Sequence, residues 1–258
     1  MANAALITGG AVRLGQAIAL HLAGRGADVV VHYASSEGPA AKVVAKARAL
    51  GVNAVALQAD LLDDSAVADL VPRAAEALGK PLDLLVNNAS IFEYDNLESA
   101  SSESWTRHLD SNLRAPVFLT QAFAAQAPKL GDDGEPRAMA NVINMIDQRV
   151  RKPTPEFMTY SLAKAGLWAF TQTAAQALAP RIRVNGIGPG PTLRGTRQSE
   201  EHFANQRKAT ILERGSDPSE ICRAIDFILD SPGFTGQLMC MDGGQHLAWQ
   251  TPDILGLE

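Results

Sequence analysis

The chain has 258 residues, a formal net charge of −5 at pH 7 and 46% hydrophobic residues. These values are typical of a globular protein, and the acidic balance without a Lys- or Arg-rich run argues against a nucleic-acid partner. Cys222 and Cys240 are the only cysteines and lie in no ligand or disulfide pattern, so we expect no metal site. The N-terminal sequence does not resemble a signal peptide, and no apolar run is long enough for a bilayer, which predicts a cytoplasmic protein without a membrane partner.

The first glycine-containing turn follows a short strand and opens a helix. Ala4 to Ile7 is an apolar run, Thr8-Gly9-Gly10 begins the turn, and a helical apolar pattern continues from Gly15 through Leu22. Glycines permit a tight turn, and the N-terminus of a helix offers unpaired N–H groups to a pyrophosphate. The turn therefore predicts a dinucleotide site, although an ordinary strand-to-helix turn is the alternative.

The second predicted strand, residues 27–32, indicates which dinucleotide is bound. In such sites an acid at the end of this strand hydrogen-bonds the ribose 2′-hydroxyl. Here the strand ends in His32-Tyr33-Ala34-Ser35-Ser36, with no acid before Glu37. Hydroxyl and N–H groups can donate to phosphate oxygens that a carboxylate would repel, so the sequence favours NADP(H) over NAD. Ser35 also has a simpler interpretation, as the cap of the helix that begins near Glu37.

Strands and helices alternate along the rest of the chain, which is the pattern of parallel βαβ units. The other predicted helices cover 38–50, 64–78, a long helix from Ser102 or Ser104 to Phe123 with a kink at Pro116, 155–178 and 218–229, and residues 131–136 form a turn. The other predicted strands cover 53–57, 82–86, 138–145, 181–187 and 237–241. We therefore predict an α/β fold, a single Rossmann-type domain over residues 1–258 whose doubly wound parallel sheet has about seven strands and helices on both faces.

Polar residues gather where the predicted strands end, the edge at which a doubly wound sheet binds its ligand. Asp60-Leu61 follows the third strand and Asn88-Ala89-Ser90 follows the fourth. Asn112 lies in mid-helix on a mostly apolar face, so it is either a satisfied core amide or a site residue. Residues 191–216 are polar and poorly periodic, and we expect them to form a substrate lid that contains a short helix.

Tyr160 and Lys164 lie four residues apart in a predicted helix and therefore point the same way. A nearby ammonium favours the phenolate and lowers the pKa of the phenol from about 10, so that the phenol can exchange a proton during a reaction. Such a pair occurs by chance in many helices. The dinucleotide turn and the polar strand ends are what give it a catalytic interpretation.

Taken in order, the motifs resemble those of the short-chain dehydrogenase/reductase family over nearly the whole chain. The matching pieces are the Thr8-Gly9 turn, Asp60, Asn87-Asn88-Ala89, Asn112, Tyr160-x3-Lys164, Pro189-Gly190 and Asp242-Gly243-Gly244. The resemblance implies hydride transfer from a nicotinamide, with Tyr160 delivering a proton, Lys164 contacting the nicotinamide ribose and Asn112 holding a water relay behind Lys164. It also implies a homotetramer.

The same resemblance implies which residues bind the cofactor. They are Thr8, Gly9, Arg13, Leu14, Gly15, His32, Tyr33, Ser35, Ser36, Asp60, Leu61, Asn88, Ala89, Ser90, Lys164, Pro189 and Gly190.

Two departures from the family pattern resemble its pteridine reductase subgroup. The family turn usually reads Thr-Gly-x3-Gly-x-Gly, but Arg13 stands at the middle glycine, and Asp147 stands where a serine usually lies about 13 residues before the tyrosine. Phe92 matches the aromatic residue that in this subgroup stacks the pterin against the nicotinamide. The likeness implies a pterin-like substrate, reduced with NADPH, that contacts Arg13, Ser90, Phe92, Asp147 and Tyr160. The simpler interpretations are a solvated helix-start residue for Arg13 and a strand-end turn residue for Asp147.

The substitutions suit the reduction of a C=N bond, which needs hydride on carbon and a proton on nitrogen. A carboxyl group beside Tyr160 can relay a proton to a ring nitrogen, whereas a serine hydroxyl mainly steadies a ketone oxygen. Dihydropterins and dihydrofolate are the expected substrates. The alternatives are a reductase of another carbonyl or imine, and a non-catalytic NADP(H) sensor, which would not need Tyr160, Lys164 and Asn112.

Overall fold

A computed structural model of the chain describes residues 2–195 and 198–249, in an alternating series of strands and helices. The strands are β1 (Ala4–Ile7), β2 (Asp28–Tyr33), β3 (Ala54–Gln58), β4 (Leu84–Asn87), β5 (Gly131–Asp132), β6 (Pro136–Arg137), β7 (Ala140–Met145), β8 (Ile182–Pro189) and β9 (Leu238–Met241). The helices are α1 (Arg13–Gly24), α2 (Glu37–Ala49), α3 (Asp64–Leu78), α4 (Ser102–Leu109), α5 (Ala115–Gln126), α6 (Met158–Leu178), α7 (Glu200–Lys208) and α8 (Pro218–Asp230).

Seven strands form one parallel sheet in the order β3-β2-β1-β4-β7-β8-β9, which confirms the predicted Rossmann-type fold. From β1, the chain adds β2 and β3 toward one edge of the sheet. It then crosses back to β4, which lies on the other side of β1, and adds β7, β8 and β9 toward the opposite edge. The strand order therefore reverses between β1 and β4, and a doubly wound sheet binds its ligand at this switch point.

Side chains of alternating strand residues form two buried cores, one on each face of the sheet. Ile7 and Val31 pack with buried residues of α1, α2 and α8. Leu6 and Val30 pack with buried residues of α3, α5 and α6. Because both faces are covered, the central strands are apolar at successive positions instead of alternating with polar residues.

The helix that carries Tyr160 begins later than predicted. We expected a helix from residue 155, but α6 begins at Met158 and its N-cap, Phe157, has left-handed backbone angles (φ 55°, ψ 47°). The N–H of Phe157 donates to the carbonyl of Asp95 at 2.7 Å, which holds the residue outside the helix. The 21 residues of α6 include Lys164 and several Thr and Gln side chains. Across the described residues, no helix combines the length and apolar character that a bilayer crossing requires.

The predicted long helix is divided by a wider turn. A π-helical turn over Asp110–Arg114 separates α4 from α5. We expected a kink at Pro116, and the irregularity observed is this π turn, which precedes the proline. Proline has no N–H to donate to the carbonyl four residues before it, which here belongs to Asn112. A π turn in a helix often marks a functional site.

Two further predictions change in detail. The predicted turn at 131–136 is a small antiparallel hairpin in which β5 pairs with β6. The N-cap of α2 is Ser36, not Ser35, and within the described residues its side chain makes no capping hydrogen bond. The simpler interpretation of Ser35 as a helix cap is therefore wrong.

We expect Gly15→Ala to lower the free energy of unfolding by at least about 1–3 kcal/mol, as overpacking does. A Cβ atom at Gly15 would lie 2.1 Å from the Gly9 carbonyl oxygen and 2.6 Å from the Asn88 side-chain nitrogen. The matched control is Gly24→Ala in the same helix, where the added Cβ meets nothing within 4 Å. That control should raise stability by about 0.5–1 kcal/mol because alanine is the better helix former. Urea unfolding measures both, and equal effects would contradict the packing argument.

Candidate active site

A cleft of about 540 Å³ opens at the switch point between β1 and β4, a size typical of small-molecule sites. The predicted site residues that line it are Gly9, Arg13, Leu14, Gly15, His32, Asp60, Leu61, Asn88, Ala89, Ser90 and Phe92. The cleft is also lined by residues that the sequence did not single out: Val12, Ala34, Leu62, Ile91, Arg107 and Ser111. Thr8, Tyr33, Ser35, Ser36, Asn112, Asp147, Tyr160, Lys164, Pro189 and Gly190 lie outside this lining.

Thr8 ties the turn after β4 to the end of β1. Its hydroxyl oxygen accepts hydrogen bonds from the N–H groups of Asn88 (2.9 Å) and Ala89 (3.0 Å) and donates to the carbonyl of Val86 (3.3 Å). The Asn88 side chain returns a bond to the Thr8 carbonyl at 2.9 Å. Thr8 and Asn88 therefore hold the floor of the cleft.

His32 links three loops at the sheet edge. Its Nδ1 accepts from the N–H of Gly9 at 3.0 Å, so its Nε2 carries the proton and donates to the carbonyl of Ala59 at 3.0 Å. The ring is 1% exposed, and burial lowers the pKa of His32 to about 4. His32 is therefore neutral at physiological pH and fixes the glycine turn from behind.

The helix start and the two serines that the dinucleotide prediction uses lie in loops around the cleft. Val12, the N-cap of α1, has no side-chain acceptor for the first N–H groups of the helix. Ser35 is exposed and Ser36 is partly exposed beyond the end of β2. In the loop after the neighbouring strand β3, the Asp60 carboxylate accepts from the N–H of Leu62 at 3.0 Å.

Asp147, Tyr160 and Lys164 come together where β7 ends against α6. The hydroxyl of Tyr160 donates to Asp147 Oδ2 at 2.8 Å, and the other carboxylate oxygen accepts from the N–H of Arg149 at 2.8 Å. Lys164 Nζ donates to the carbonyl of Met145 at 2.8 Å and lies 5.7 Å from the centre of the Tyr160 ring. Tyr160 is 5% and Lys164 is 2% exposed, so solvent screens their charges little.

Burial and Asp147 control the protonation of this group. The pKa of Tyr160 is raised well above its usual value, first by burial and then by the Asp147 charge. This direction is opposite to the one expected from the ammonium alone, because burial and the hydrogen-bonded Asp147 both disfavour the phenolate. Burial also raises the pKa of Asp147 and lowers that of Lys164 to about 8. The phenol of the resting site therefore keeps its proton and donates it in the hydrogen bond to Asp147.

An aromatic cluster adjoins the Tyr160 ring. The rings of Phe92 and Phe157 stack with centroids 4.3 Å apart and planes 8° apart, and Phe92 meets Tyr160 edge-on at 4.7 Å. The guanidinium of Arg149 lies 5.0 Å from the centre of the Phe157 ring. Sequence reasoning missed Phe157 and Arg149 as site residues, because Phe157 fitted the apolar pattern of the helix. Its distance of three residues from Tyr160 was the available signal.

Asn112 is fully buried in the π turn, and both polar atoms of its side chain bind one residue. Its Oδ1 accepts from the N–H of Ile91 at 3.0 Å, and its Nδ2 donates to the carbonyl of Ile91 at 2.8 Å. The amide is thus a satisfied buried group that also holds the segment between Ser90 and Phe92.

Arg13 connects the glycine turn to the predicted lid. It adopts left-handed angles (φ 53°), and its guanidinium donates to the carbonyls of Arg194 (2.7 Å) and Leu193 (3.2 Å). Within the lid, Arg207 donates to the carbonyls of Pro191 (2.9 Å) and Ser216 (2.9 Å), so it joins the two ends of the segment. The short helix expected there is α7, and residues 196 and 197 of the predicted lid lie outside the described residues.

The Pro189-Gly190 pair at the end of β8 packs on the Asp242-Gly243-Gly244 turn. The N–H of Gly190 donates to the carbonyl of Met241 at 3.0 Å, and a Cβ at Gly190 would lie 2.6 Å from the Cα of Asp242. The Asp242 carboxylate is buried and accepts from the N–H groups of Gly244 (3.0 Å) and His246 (2.8 Å). This turn therefore braces the base of the lid.

Known proteins resemble this chain over almost its whole length. The family model described as short chain dehydrogenase matches residues 3–206. The structure of FolM, alternative dihydrofolate reductase 1 from Brucella suis, in complex with NADP, has a TM-score of 0.91 and 41% identity over 98% of each chain. A 3-oxoacyl-acyl-carrier-protein reductase from Synechocystis is 34% identical over 248 residues, covering 94% of this chain and 96% of the relative. An L-rhamnose 1-dehydrogenase from Sphingomonas is 31% identical over 255 residues, covering 95% of this chain and 96% of the relative.

The neutral state of His32 makes a pH-dependent contribution to stability. Its pKa is about 4 in the folded chain and about 6.5 when unfolded, so the unfolded state binds more protons between these values. The contribution is present above pH 6.5 and is lost as the pH falls toward 4, by roughly 3 kcal/mol. Urea unfolding at pH 7 and pH 4 should show this extra loss in the wild type but not in His32→Asn, which cannot titrate and keeps an acceptor near Gly9. Equal losses in both proteins would contradict the assignment.

Proposed function

This chain belongs to the short-chain dehydrogenase family, and we propose that it is an NADPH-dependent reductase of pterin-like substrates. The reaction is the transfer of hydride to a C=N bond of a dihydropterin or of dihydrofolate. The observation that carries the proposal is the 2.8 Å hydrogen bond between the Tyr160 hydroxyl and the Asp147 carboxylate, with the Phe92 ring 4.7 Å from that of Tyr160. This arrangement combines a proton relay with an aromatic face for a flat heterocycle.

The residues around the cleft fit NADPH. The uncapped first turn of α1, behind Gly9, would hold the pyrophosphate, and Ser35 and Ser36 would hold the 2′-phosphate at a strand end that lacks a carboxylate. Lys164 would bind the nicotinamide ribose, as the family resemblance implies. FolM from Brucella suis, with 41% identity, was solved with NADP, which supports this choice. When bound, the cofactor supplies hydride.

Tyr160 and Asp147 supply the proton. Because burial and the Asp147 charge raise the pKa of Tyr160, its hydroxyl holds a proton in the resting site. The hydrogen bond to Asp147 orients that hydroxyl. Burial raises the pKa of Asp147 as well, so the carboxyl group can take up a proton and return it to the phenol oxygen or to a substrate nitrogen. Lys164 keeps a cation near the ring, as its Nζ is held by Met145.

The surrounding residues would bind the heterocycle. Phe92 offers a ring face for stacking, Ser90 lies beside the Tyr160 hydroxyl, and Arg13 brings donors for ring nitrogen and oxygen atoms. The segment 191–216 acts as the lid over this space. Arg13 already binds its Leu193 carbonyl, so the lid and the glycine turn meet at one side chain.

A reductase of another carbonyl or imine is the second candidate. The relatives named as a 3-oxoacyl-acyl-carrier-protein reductase and as an L-rhamnose 1-dehydrogenase favour it, at 34% and 31% identity. A non-catalytic NADP(H) sensor is the third candidate. It has less support because a sensor would need the glycine turn but not the buried pair of Tyr160 and Lys164.

The purified chain should oxidise NADPH in the presence of a pterin. The panel is dihydrobiopterin, dihydromonapterin, dihydrofolate, biopterin and several simple ketones, with NADH run in parallel. Turnover of a pterin with NADPH supports the proposal. Turnover of ketones alone would replace it with the second candidate, and tight NADPH binding without any turnover would favour the sensor.

Tyr160→Phe should lower kcat about 10²- to 10⁴-fold, which is the usual contribution of a general acid. NADPH binding should change little, because the ring and the neighbouring contacts stay. Steady-state kinetics and a fluorescence titration of NADPH measure the two effects. An unchanged kcat would show that Tyr160 is not the proton donor.

Asp147→Ser tests the reason for the unusual carboxylate. The serine hydroxyl can still bind Tyr160 but cannot take up and hold a proton as a carboxylate can, so kcat for the pterin should fall about 10²-fold or more. Turnover of simple ketones should be retained or rise, because a hydroxyl suffices to steady a carbonyl oxygen. The ratio of kcat/KM for the two substrates gives the answer. Asp147→Asn is the control that keeps the side-chain size, and equal pterin activity in all three proteins would refute the relay.

A further inference from the structure

A second buried polar cluster lies beside Tyr160 and takes no part in the proton transfer proposed above. It consists of His108 in α4, Thr159 in α6 and Asp95 in the loop between β4 and α4, each at most 1% exposed. The ring of His108 lies 6.1 Å from that of Tyr160, centre to centre. A carboxylate and an imidazole are costly to bury unless both are hydrogen-bonded.

The hydrogen bonds fix the direction of every donor in the cluster. The N–H of Glu93 donates to His108 Nε2 at 3.1 Å, so in the neutral ring the proton is on Nδ1. His108 Nδ1 then donates to the Thr159 hydroxyl at 2.6 Å, and that hydroxyl donates to the Asp95 carboxylate. The other carboxylate oxygen accepts from the N–H of Thr159 at 3.2 Å.

The protonation states agree with this direction. Burial lowers the pKa of His108, which keeps the ring neutral. Burial tends to raise the pKa of Asp95, but the two hydrogen bonds from Thr159, with further contributions from Ser104 and His108, outweigh it and lower the pKa. A neutral imidazole and a charged carboxylate are thus joined through one hydroxyl.

Each end of the cluster adjoins one half of the candidate site. Thr159 directly precedes Tyr160 in the first turn of α6, and the Asp95 carbonyl accepts from the N–H of Phe157 at 2.7 Å. On the other side, Glu93 directly follows Phe92. One nitrogen of His108 therefore holds the segment with the stacking ring, and the other holds the start of the helix with the phenol.

We propose that His108 is a positioning residue that places Tyr160 through Nδ1 and Thr159, and places Phe92 through Nε2 and Glu93. The inference rests on the proposed function, since it concerns the acid and the stacking ring of that reaction. Each role belongs to a different nitrogen of the His108 ring, so a substitution can remove one role and keep the other.

Two substitutions separate the roles. In His108→Asn the amide nitrogen lies near the place of Nδ1 and can donate to Thr159, but no atom reaches the N–H of Glu93. In His108→Gln the amide oxygen lies near the place of Nε2 and can accept from Glu93, but the bond to Thr159 is lost.

The expected result is a split between kcat and KM, measured with NADPH and the best pterin of the panel. His108→Asn should keep kcat within about threefold and raise the KM for the pterin about tenfold or more, because Phe92 is no longer held. His108→Gln should lower kcat about tenfold or more and keep KM within about threefold. Thr159→Val, which removes the hydroxyl but keeps the shape, should behave like His108→Gln. If both His108 variants change the same constant, or neither constant changes, the proposal is overturned.

A matched control separates positioning from loss of stability. Val43→Ala also alters a fully buried side chain, in α2 on the other face of the sheet from α6, and should lower the Tm without changing kcat or KM. If it reproduced either kinetic change, instability would explain the effects and the proposal would fail.

Amide hydrogen exchange gives a readout that needs no turnover. The Glu93 amide should exchange about tenfold faster or more in His108→Asn but keep nearly its wild-type rate in His108→Gln, whose amide oxygen still accepts from it. If the wild type reduces no pterin but the exchange rates split in this way, the proposed function fails while the bond between His108 and Glu93 stands. If the exchange rates do not split, the inference fails whatever the activity.

Discussion

The pairing of β1 with β2 on one side and β4 on the other determines where the cleft lies. Both neighbours are parallel to β1, so the loops after all three strands meet at one edge of the sheet. Two side chains fix those loops to one another. Thr8 joins the ends of β1 and β4, and His32 joins the glycine turn to the loop after β3. The strand ends that shape the cleft are therefore already fixed by the core. The cleft residues lose little conformational entropy when a ligand binds.

Proximity and burial act in opposite directions on the phenol. A cation four residues along the helix suggests a lowered pKa, but the carboxylate of Asp147 accepts the phenol hydroxyl directly and both groups are buried. Burial disfavours the phenolate first and the hydrogen-bonded Asp147 adds to that effect, whereas the Lys164 ammonium lies 5.7 Å from the centre of the ring. In the usual family pattern a neutral serine occupies this position, so the replacement by Asp147 changes the direction of the electrostatic effect as well as the shape. A protonated tyrosine is the natural acid for a reduction.

Much of this could be predicted from sequence because it depends on local pattern and on strand ends. Apolar runs and turn residues placed the sheet, and the order of motifs placed Gly9, Asn88, Asp147 and Tyr160 at one edge. What escaped prediction depends on backbone angles and long-range contacts. The left-handed angles of Phe157 and the pairing of His108 with Thr159, 51 residues later in the chain, leave no periodic signal. The hydrogen bonds between the Asn112 side chain and the backbone of Ile91, 21 residues earlier in the chain, likewise leave no periodic signal.

Arg13 gives the site a form of thermodynamic linkage. Its left-handed backbone conformation is strained for a residue other than glycine. Its guanidinium donates two hydrogen bonds, to the carbonyls of Leu193 and Arg194. A ligand that binds the same donors must compete with those carbonyls, so binding at the glycine turn and release of the 193–194 segment are coupled. Such coupling is reciprocal: whatever stabilises the attached segment weakens the ligand by the same factor. A glycine at this position would relieve the strain and would also abolish the communication between the two sides of the cleft.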